Sequence, residues 1–340
     1  MEYRDFAQKI DRNIIAKTLS PYFKISAFSF KKMDGYENAS FYIEIKNQKY
    51  VLRIYNALQF GKRVRSKEGI LTELEFINFL RSGGFLVPDI KRTNEGALFT
   101  TVLIDKTEHF AILTDFIGGY HIKKLSPKQI MSVAEVQAKM HIAAKRFKSK
   151  LPFIKTSGPL GMRRLIRDKL KDYEAPQNRK GLLKQGIVII DFLDTKINKE
   201  ATAKYSTILI HGDIHSGNLK FTGDDISGIF DFDDMRTSIA PDDIGAFLME
   251  ILKSANEKKL KERATVYFNQ YAEIKPITRG EISLSIYFAA QRRLVFKMLR
   301  FMGLWEDEKS DSADEFKKVL NQINKIIKLA TDPDILNIAD

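Results

Sequence analysis

The 340-residue chain has no cysteine. That excludes a disulfide scaffold, a thiolate zinc site and a thiol nucleophile, and says nothing about compartment. It also lacks any apolar run near the ~18 residues that read as a membrane span. The nearest, Ile282 to Trp305, is broken by Arg292, Arg293, Lys297 and Arg300. Met1 to Ile10 mixes Glu2, Arg4, Asp5 and Lys9 rather than running basic and then apolar as a signal peptide does. No HExxH and no GxxxxGK[ST] is present, so neither a zinc helix nor a P-loop is expected. A cytoplasmic protein with no membrane partner is the expectation. The 44% apolar content supports a sizeable core, and the length suits two domains or one two-lobed unit.

The formal net charge is +13, which invites an acidic partner such as nucleic acid. The charge is uneven. Between Asp213 and Asp243 there are eight acids against Lys220 and Arg236. Between Lys145 and Lys171 there are ten bases against Asp168. An acidic island in a basic chain is the more informative feature. The basic stretch reads either as a solvated face or, through Arg163, Arg164 and Arg167, as the flank of a pocket for an anionic substrate.

The first third reads as strands. Phe41, Ile43 and Ile45 alternate with Tyr42, Glu44 and Lys46, the period of a half-buried strand. Asn47-Gln48 suits a tight turn, with Lys49 to Tyr55 as partner strand. Ile70, Leu74, Ile77 and Leu80 recur at helical spacing, and Gly83-Gly84 ends that helix. Pro88 to Lys91 and His109 to Phe116 read as further strands. After Gly118-Gly119 the chain turns helical: Ile130, Val133, Met140, Ala144 and Phe147 share one face, with Gln137 the polar exception. A helical segment covers Leu182 to Leu193. Short strands follow at Thr207 to Ile210, Leu219 to Phe221 and Ile226 to Phe232, the last two joined at Gly223-Asp224. The final helix opens on a capping box, Ser312 with Glu315.

His211-Gly212-Asp213-Ile214-His215-Ser216-Gly217-Asn218 holds two of the five histidines. Its glycines argue for a loop after a strand, not for a zinc-binding helix face. Asp213 and Asn218 lie five apart, and Asp231 thirteen further on at the end of an apolar strand. That order suits phosphoryl transfer. One carboxylate orients the acceptor hydroxyl and takes its proton, while an amide and a second carboxylate hold Mg²⁺ on nucleotide phosphates. Asp233 and Asp234 read either as a solvated strand end or as contacts to a second metal.

The run HGDIHSGN, followed by GIFDFDD and PDDIG, resembles the aminoglycoside phosphotransferase, choline kinase and homoserine kinase-like family, which has a protein-kinase-like fold. The resemblance covers most of residues 30–250. It implies an α+β fold with a small, mostly antiparallel β lobe over 1–115, a hinge at 116–119 and a larger helical lobe over 120–340. It implies ATP and Mg²⁺ as cofactors, Asp213 as catalytic base, Asn218 and Asp231 as metal ligands, and Asp243 as a brace for the catalytic loop. In the first lobe, DGYENASFYIEI is similar to the family's nucleotide loop, which implicates Gly35, Tyr36 and Asn38. YVLRIY is similar to its phosphate-binding strand, with Arg53 in place of a lysine. Arg53 should pair with a glutamate of the next helix: Glu73 rather than Glu75, since Glu73 shares the Ile70, Ile77 and Leu80 face. AILTDFIGG is similar to the hinge, where backbone near Asp115 and Ile117 would meet adenine. The nucleotide loop departs from a protein kinase's in having one glycine.

The expected acceptor is the hydroxyl of a small metabolite: an amino alcohol, a sugar or homoserine, and an anionic one if the basic stretch flanks the pocket. Two rivals stand beside this. A stress-type Ser/Thr protein kinase has a similar loop to Tyr36-Glu37-Asn38. A non-catalytic nucleic-acid binder would use the positive charge, but has no use for Asp213, Asn218 and Asp231 together.

Overall fold

A computed structural model of the chain describes residues 3–24, 27–33, 38–59, 62–63, 66–149, 166–170, 173, 176–254, 256–304 and 310–339. The chain divides into two compact units. The first comprises Met1–Gly119, Lys148–Phe153 and Ser227–Phe230; the second comprises Tyr120–Phe147, Ile154–Ile226 and Asp231–Asp340.

The first unit opens with α1 (Tyr3–Gln8) and α2 (Arg12–Leu19), then β1 (Ser29–Lys32), β2 (Ala39–Ile45) and β3 (Gln48–Ile54). Short strands β4 (Leu58–Gln59) and β5 (Lys62–Arg63) lead to α3 (Lys67–Ser82), β6 (Thr100–Ile104) and β7 (Thr107–Asp115). A five-stranded antiparallel sheet runs in the order β1-β2-β3-β7-β6. Along β2, Ala39, Phe41, Ile43 and Ile45 are buried while the residues between them are partly open, as a pleated strand with one core face requires. They share a core with Leu52, Ile54 and Leu113 of the sheet and with Phe6, Ile15 and Leu19 of α1 and α2. The β2–β3 turn falls on Lys46 and Asn47, both at positive φ (49° and 64°), one residue earlier than the sequence suggests. Two left-handed residues match the right-handed strand twist. Pro88 to Lys91 is not a strand: only Ile90 bridges, to Thr114. Proline has no N–H to give a ladder.

The second unit is mainly helical. Its helices are α4 (Pro127–Ala144), α5 (Gln177–Lys196), α6 (Lys199–Thr202), α7 (Ala240–Ile251), α8 (Glu257–Ile274), α9 (Arg279–Phe301), α10 (Ala313–Leu329) and α11 (Pro333–Leu336). Strands β8 (Thr207–Ile210), β9 (Leu219–Thr222) and β11 (Arg236–Ile239) belong to it, whereas β10 (Asp225–Ile229) is divided between the units after Ile226; the two-stranded sheets are β8–β11 and β9–β10. Both halves of the Ser312–Glu315 capping box form at α10, and α4 and α9 start on similar boxes, Ser126 with Gln129 and Thr278 with Glu281. α4 packs on α8, and α7 on α9. Four-residue α11 follows the helix that the sequence makes the last. The whole is an α+β fold of an antiparallel sheet unit and a helical unit. Among the described residues, no helix is long and apolar enough to cross a membrane.

Candidate active site

The loop that follows β8 is fixed by its backbone. Ile208, Leu209 and Ile210 are buried, and Ile210 is in register with Arg236 of β11. His211 is buried with its ring 4.5 Å from that of Phe232. Gly212 sits at φ +86°, where a Cβ would lie 2.2 Å from the Asp234 carbonyl oxygen and 2.4 Å from Arg236 Nη1. Only glycine meets both demands. Its peptide is gripped from two sides. The N–H donates to Asp243 Oδ1 (2.7 Å), and the carbonyl accepts from Arg292 Nη2 (3.0 Å).

This anchoring presents Asp213, whose side chain is 31% exposed and whose Oδ2 lies 3.4 Å from His215 Nε2. Asn218 closes the loop: its Nδ2 donates to the Asp213 carbonyl oxygen (3.0 Å) and to Asp213 Oδ2 (3.3 Å). His215 also braces its neighbours, Nδ1 accepting from the Gly217 N–H (3.0 Å) and its carbonyl from the Asn218 N–H (2.9 Å). Burial works to raise the Asp213 carboxyl, but the hydrogen bond and charge of His215, with Arg292 and His211 beyond, hold it below the usual carboxylate value. Burial conversely works to lower His215, which Asp213 outweighs and holds above the ordinary imidazole value.

Asp231 follows β10 by two residues rather than ending it, in the left-handed conformation (φ 64°). Aspartate is one of the few non-glycine residues that adopts it with any frequency. A short 3₁₀ turn, Phe232–Asp234, comes next. The donor chemistry here fits Mg²⁺. With Asn218 Nδ2 committed to Asp213, the oxygen that Asn218 can offer is Oδ1, and Asp231 adds a carboxylate; both are hard ligands. Among the described residues no group of three or more His, Cys, Asp or Glu could hold a metal. Mg²⁺ needs none, since it is bound by one or two carboxylates together with substrate phosphates.

Behind the loop lies a buried charge cluster that sequence reasoning missed. Asp242 Oδ2 accepts from Arg236 Nη2 (2.7 Å), Arg236 Nε (3.2 Å) and Ser238 Oγ (2.8 Å), and Oδ1 from Arg292 Nη2 (3.0 Å). Arg292 is one of the cations that break the apolar run of α9. A charge at a core position was the available signal; its partners, 50 and 80 residues away, were not legible. Asp243 is completely buried. Besides Gly212 it accepts from Gln137 Nε2 (3.0 Å) and His141 Nε2 (2.9 Å). Burial works to raise its carboxyl, and the His141 hydrogen bond leads the groups that instead keep it far below the ordinary range. Gln137, the polar exception on an apolar face, therefore has a buried carboxylate to serve.

In the first unit Glu73 is buried and Glu75 is half-buried, accepting from Ser149 Oγ (3.0 Å). Glu73 Oε1 accepts from the Tyr55 hydroxyl (2.8 Å), and the Arg53 guanidinium lies 5.4 Å from the centre of the Tyr55 ring. Tyr55, two residues after Arg53 and just past the end of β3, thus links the two residues expected to pair, a role not legible in the sequence. Asn38 Oδ1 accepts from the Asn56 N–H (2.9 Å). The Asp115 N–H donates to the Asp89 carbonyl (3.1 Å) and its carboxylate accepts from Lys91 (2.6 Å). Ile117 is half-buried. Gly35, Tyr36, Arg163 and Arg164 lie outside the described residues. Arg167 is already paired, Nη2 donating to Asp191 (2.6 Å) and Asp194 (3.0 Å). Its side chain is half exposed.

A family model described as the phosphotransferase enzyme family matches residues 33–277. A homoserine kinase of Bradyrhizobium sp. (strain ORS 278) is 23% identical over 296 residues, covering 86% of this chain and 85% of its own. Among solved structures, the amicoumacin kinase hAmiN in complex with AMP-PNP, Ca2+ and Ami is similar at a TM-score of 0.71 and 18% identity, over 96% of both chains. A microcompartment-associated aminopropanol kinase is similar at a TM-score of 0.71 and 17% identity, over 94% of this chain and 97% of its own. The two structures establish the fold as protein-kinase-like.

Proposed function

This chain belongs to the phosphotransferase enzyme family, and from that premise we propose that it transfers the γ-phosphoryl group of ATP to a hydroxyl of a small metabolite, with Mg²⁺. The observation that carries the reading is Asp213: a carboxylate kept ionised and partly open, on a loop whose own amide and carbonyl at Gly212 are both pinned from behind. Asp213 would accept a hydrogen bond from the acceptor hydroxyl, orient its oxygen toward phosphorus and receive its proton as the new O–P bond forms and ADP departs. Asn218 and Asp231 would hold Mg²⁺, whose charge offsets that building up on the phosphate oxygens. Arg53 would contact the nucleotide phosphates, steadied by Tyr55 and Glu73, and backbone near Asp115 and Ile117 would meet the base. Gly35, Tyr36 and Asn38 would border the nucleotide. Positioning and electrostatics supply the rate; no covalent intermediate is needed.

The acceptor proposed is a short amino alcohol. Homoserine and aminopropanol, named for two of the similar proteins, share an amine and a hydroxyl on a short chain. The test is ADP release from Mg²⁺–ATP across homoserine, aminopropanol, choline, simple sugars, an aminoglycoside and a protein substrate. Turnover with one small amino alcohol well above the acceptor-free rate is expected. Turnover with the protein substrate alone, or with none, refutes the reading.

Asp231→Ala tests the metal assignment. Loss of a groups' outer-shell partner already costs about 10- to 100-fold in metal affinity, and loss of a ligand should cost no less. ATP affinity measured with and without Mg²⁺ should therefore lose most of its metal dependence in the variant. An unaltered ratio removes Asp231 from the metal site.

A further inference from the structure

The brace on the catalytic loop is itself held by two parallel hydrogen-bond relays that start on a helix remote from the chemistry. Tyr267 and Tyr271 are one turn apart on α8; Gln137 and His141 are one turn apart on α4. The Tyr267 hydroxyl donates to Gln137 Oε1 (2.7 Å), and Gln137 Nε2 donates to Asp243 Oδ2 (3.0 Å). The Tyr271 hydroxyl bonds His141 Nδ1 (2.7 Å), and His141 Nε2 bonds the same Asp243 oxygen (2.9 Å). Asp243 is a charged acceptor, so His141 donates to it from Nε2. Burial pushes both tyrosine hydroxyls well above their ordinary value, so both are neutral phenols. All five side chains are buried. Asp243 Oδ2 is thereby occupied by two donors, which turns Oδ1 toward the Gly212 N–H.

We propose that His141 and Gln137, backed by Tyr271 and Tyr267, are positioning residues that set the Gly212 peptide, and through it the place of Asp213, by fixing the orientation of the Asp243 carboxylate. An apolar filling of the same space would stabilise α4 against α8 equally well, since a buried polar network yields little net stability over packed hydrocarbon. What hydrocarbon cannot do is select one rotamer of a carboxylate. Such networks, once fully satisfied, specify a unique arrangement. The part of the proposal that concerns Asp213 rests on the phosphoryl-transfer reading above; the part that concerns Gly212 does not.

Three variants of the full chain test it. His141→Leu removes one donor to Asp243; His141→Gln restores an N–H at about the reach of Nε2; Tyr271→Phe removes only the outer hydroxyl. Two quantities are read. Hydrogen exchange of the segment around Gly212, compared with the buried core of α9, should rise about tenfold or more in His141→Leu, less in Tyr271→Phe and least in His141→Gln. A displacement of about 1 Å at a catalytic group costs up to about 10²-fold in rate. In the amino-alcohol assay kcat should accordingly fall about 10- to 100-fold in His141→Leu, with KM for ATP within about twofold, and His141→Gln should recover most of it. Equal acceleration of exchange at Gly212 and in α9 marks a purely structural role and overturns the proposal, as does a wild-type kcat in His141→Leu. If the unmodified protein transfers no phosphoryl group to any acceptor, the functional reading fails by itself, and the exchange comparison still decides whether the relays position Gly212.

Discussion

Asp213→Ala should leave Mg²⁺–ATP binding within about twofold of normal and cut phosphoryl transfer by about 10²- to 10⁴-fold, the range for removal of a general base. The selectivity follows from how Asn218 is held. Its shorter hydrogen bond, at 3.0 Å, goes to the Asp213 backbone carbonyl and survives truncation of the side chain; only the 3.3 Å bond to the carboxylate is lost. The loop therefore keeps its shape, and Asn218 Oδ1 keeps its place. The pH profile adds a second check. Burial favours the protonated acid at Asp213, but His215, Arg292 and His211 together hold the carboxyl below its usual value. The carboxylate form that catalysis needs thus persists to lower pH than in an ordinary carboxylic acid, and an acid limb assigned to Asp213 lies below the usual value of about 4. The measurement pairs isothermal titration with ATP against acceptor-dependent ADP release over a pH series. A variant with near-normal turnover would remove Asp213 from the reaction.

The second large effect is on stability. Asp242→Asn keeps the size of the side chain but removes the charge that compensates two buried guanidinium groups, those of Arg236 and Arg292. Removing one partner from a buried ion pair costs about 3–5 kcal/mol, mostly through the charge left behind. Urea unfolding should register a loss of that size with an unchanged slope; a loss under about 1 kcal/mol would show that the two arginines find other partners. Acid should act on the same cluster. Burial raises the Asp242 and Asp243 carboxyls, and their cationic and hydrogen-bonding neighbours overcome that and depress both. Groups depressed on folding contribute stability that is present above the unfolded-state value, about 4, and disappears as pH falls through the folded-state values. Unfolding midpoints should hold near neutrality and drop below about pH 4, with part of that drop absent in Asp242→Asn.

Local chemistry was legible in the sequence, and long-range pairing was not. Alternation along residues 41–45, helical spacing from Ile70 to Leu80 and the Ser312–Glu315 box each involve neighbours within a turn or two, and each appears in the structure. Glu73 could be told from Glu75 because burial of a helix face is periodic. The acidic loop could be read because its residues share one short segment with a recognisable order. Strand β11, by contrast, is Arg-Thr-Ser-Ile, with little intrinsic pattern; pairing with β8 makes it a strand. Gln137 and Arg292 could be noticed as polar residues in apolar company, but their partners lie across the fold. Tyr55 is not legible for a related reason: its role depends on a hydroxyl meeting Glu73, 18 residues along the chain, inside the core.

The equal spacing of the two relays carries a consequence for how this sequence can vary. Both rungs join residues four apart on one helix to residues four apart on another, and both finish on one oxygen atom. Shifting either helix by one residue turns its side chains by about 100°, so no slide preserves one rung and loses the other. A single residue inserted or deleted in α4 or α8 ahead of its relay residues therefore changes both rungs at once, whereas insertions in the connecting loops leave them intact. Substitutions should be inherited in couples: 137 with 267, and 141 with 271. The relays act as a ruler between two helices, set by the spacing of 137 with 141 and of 267 with 271.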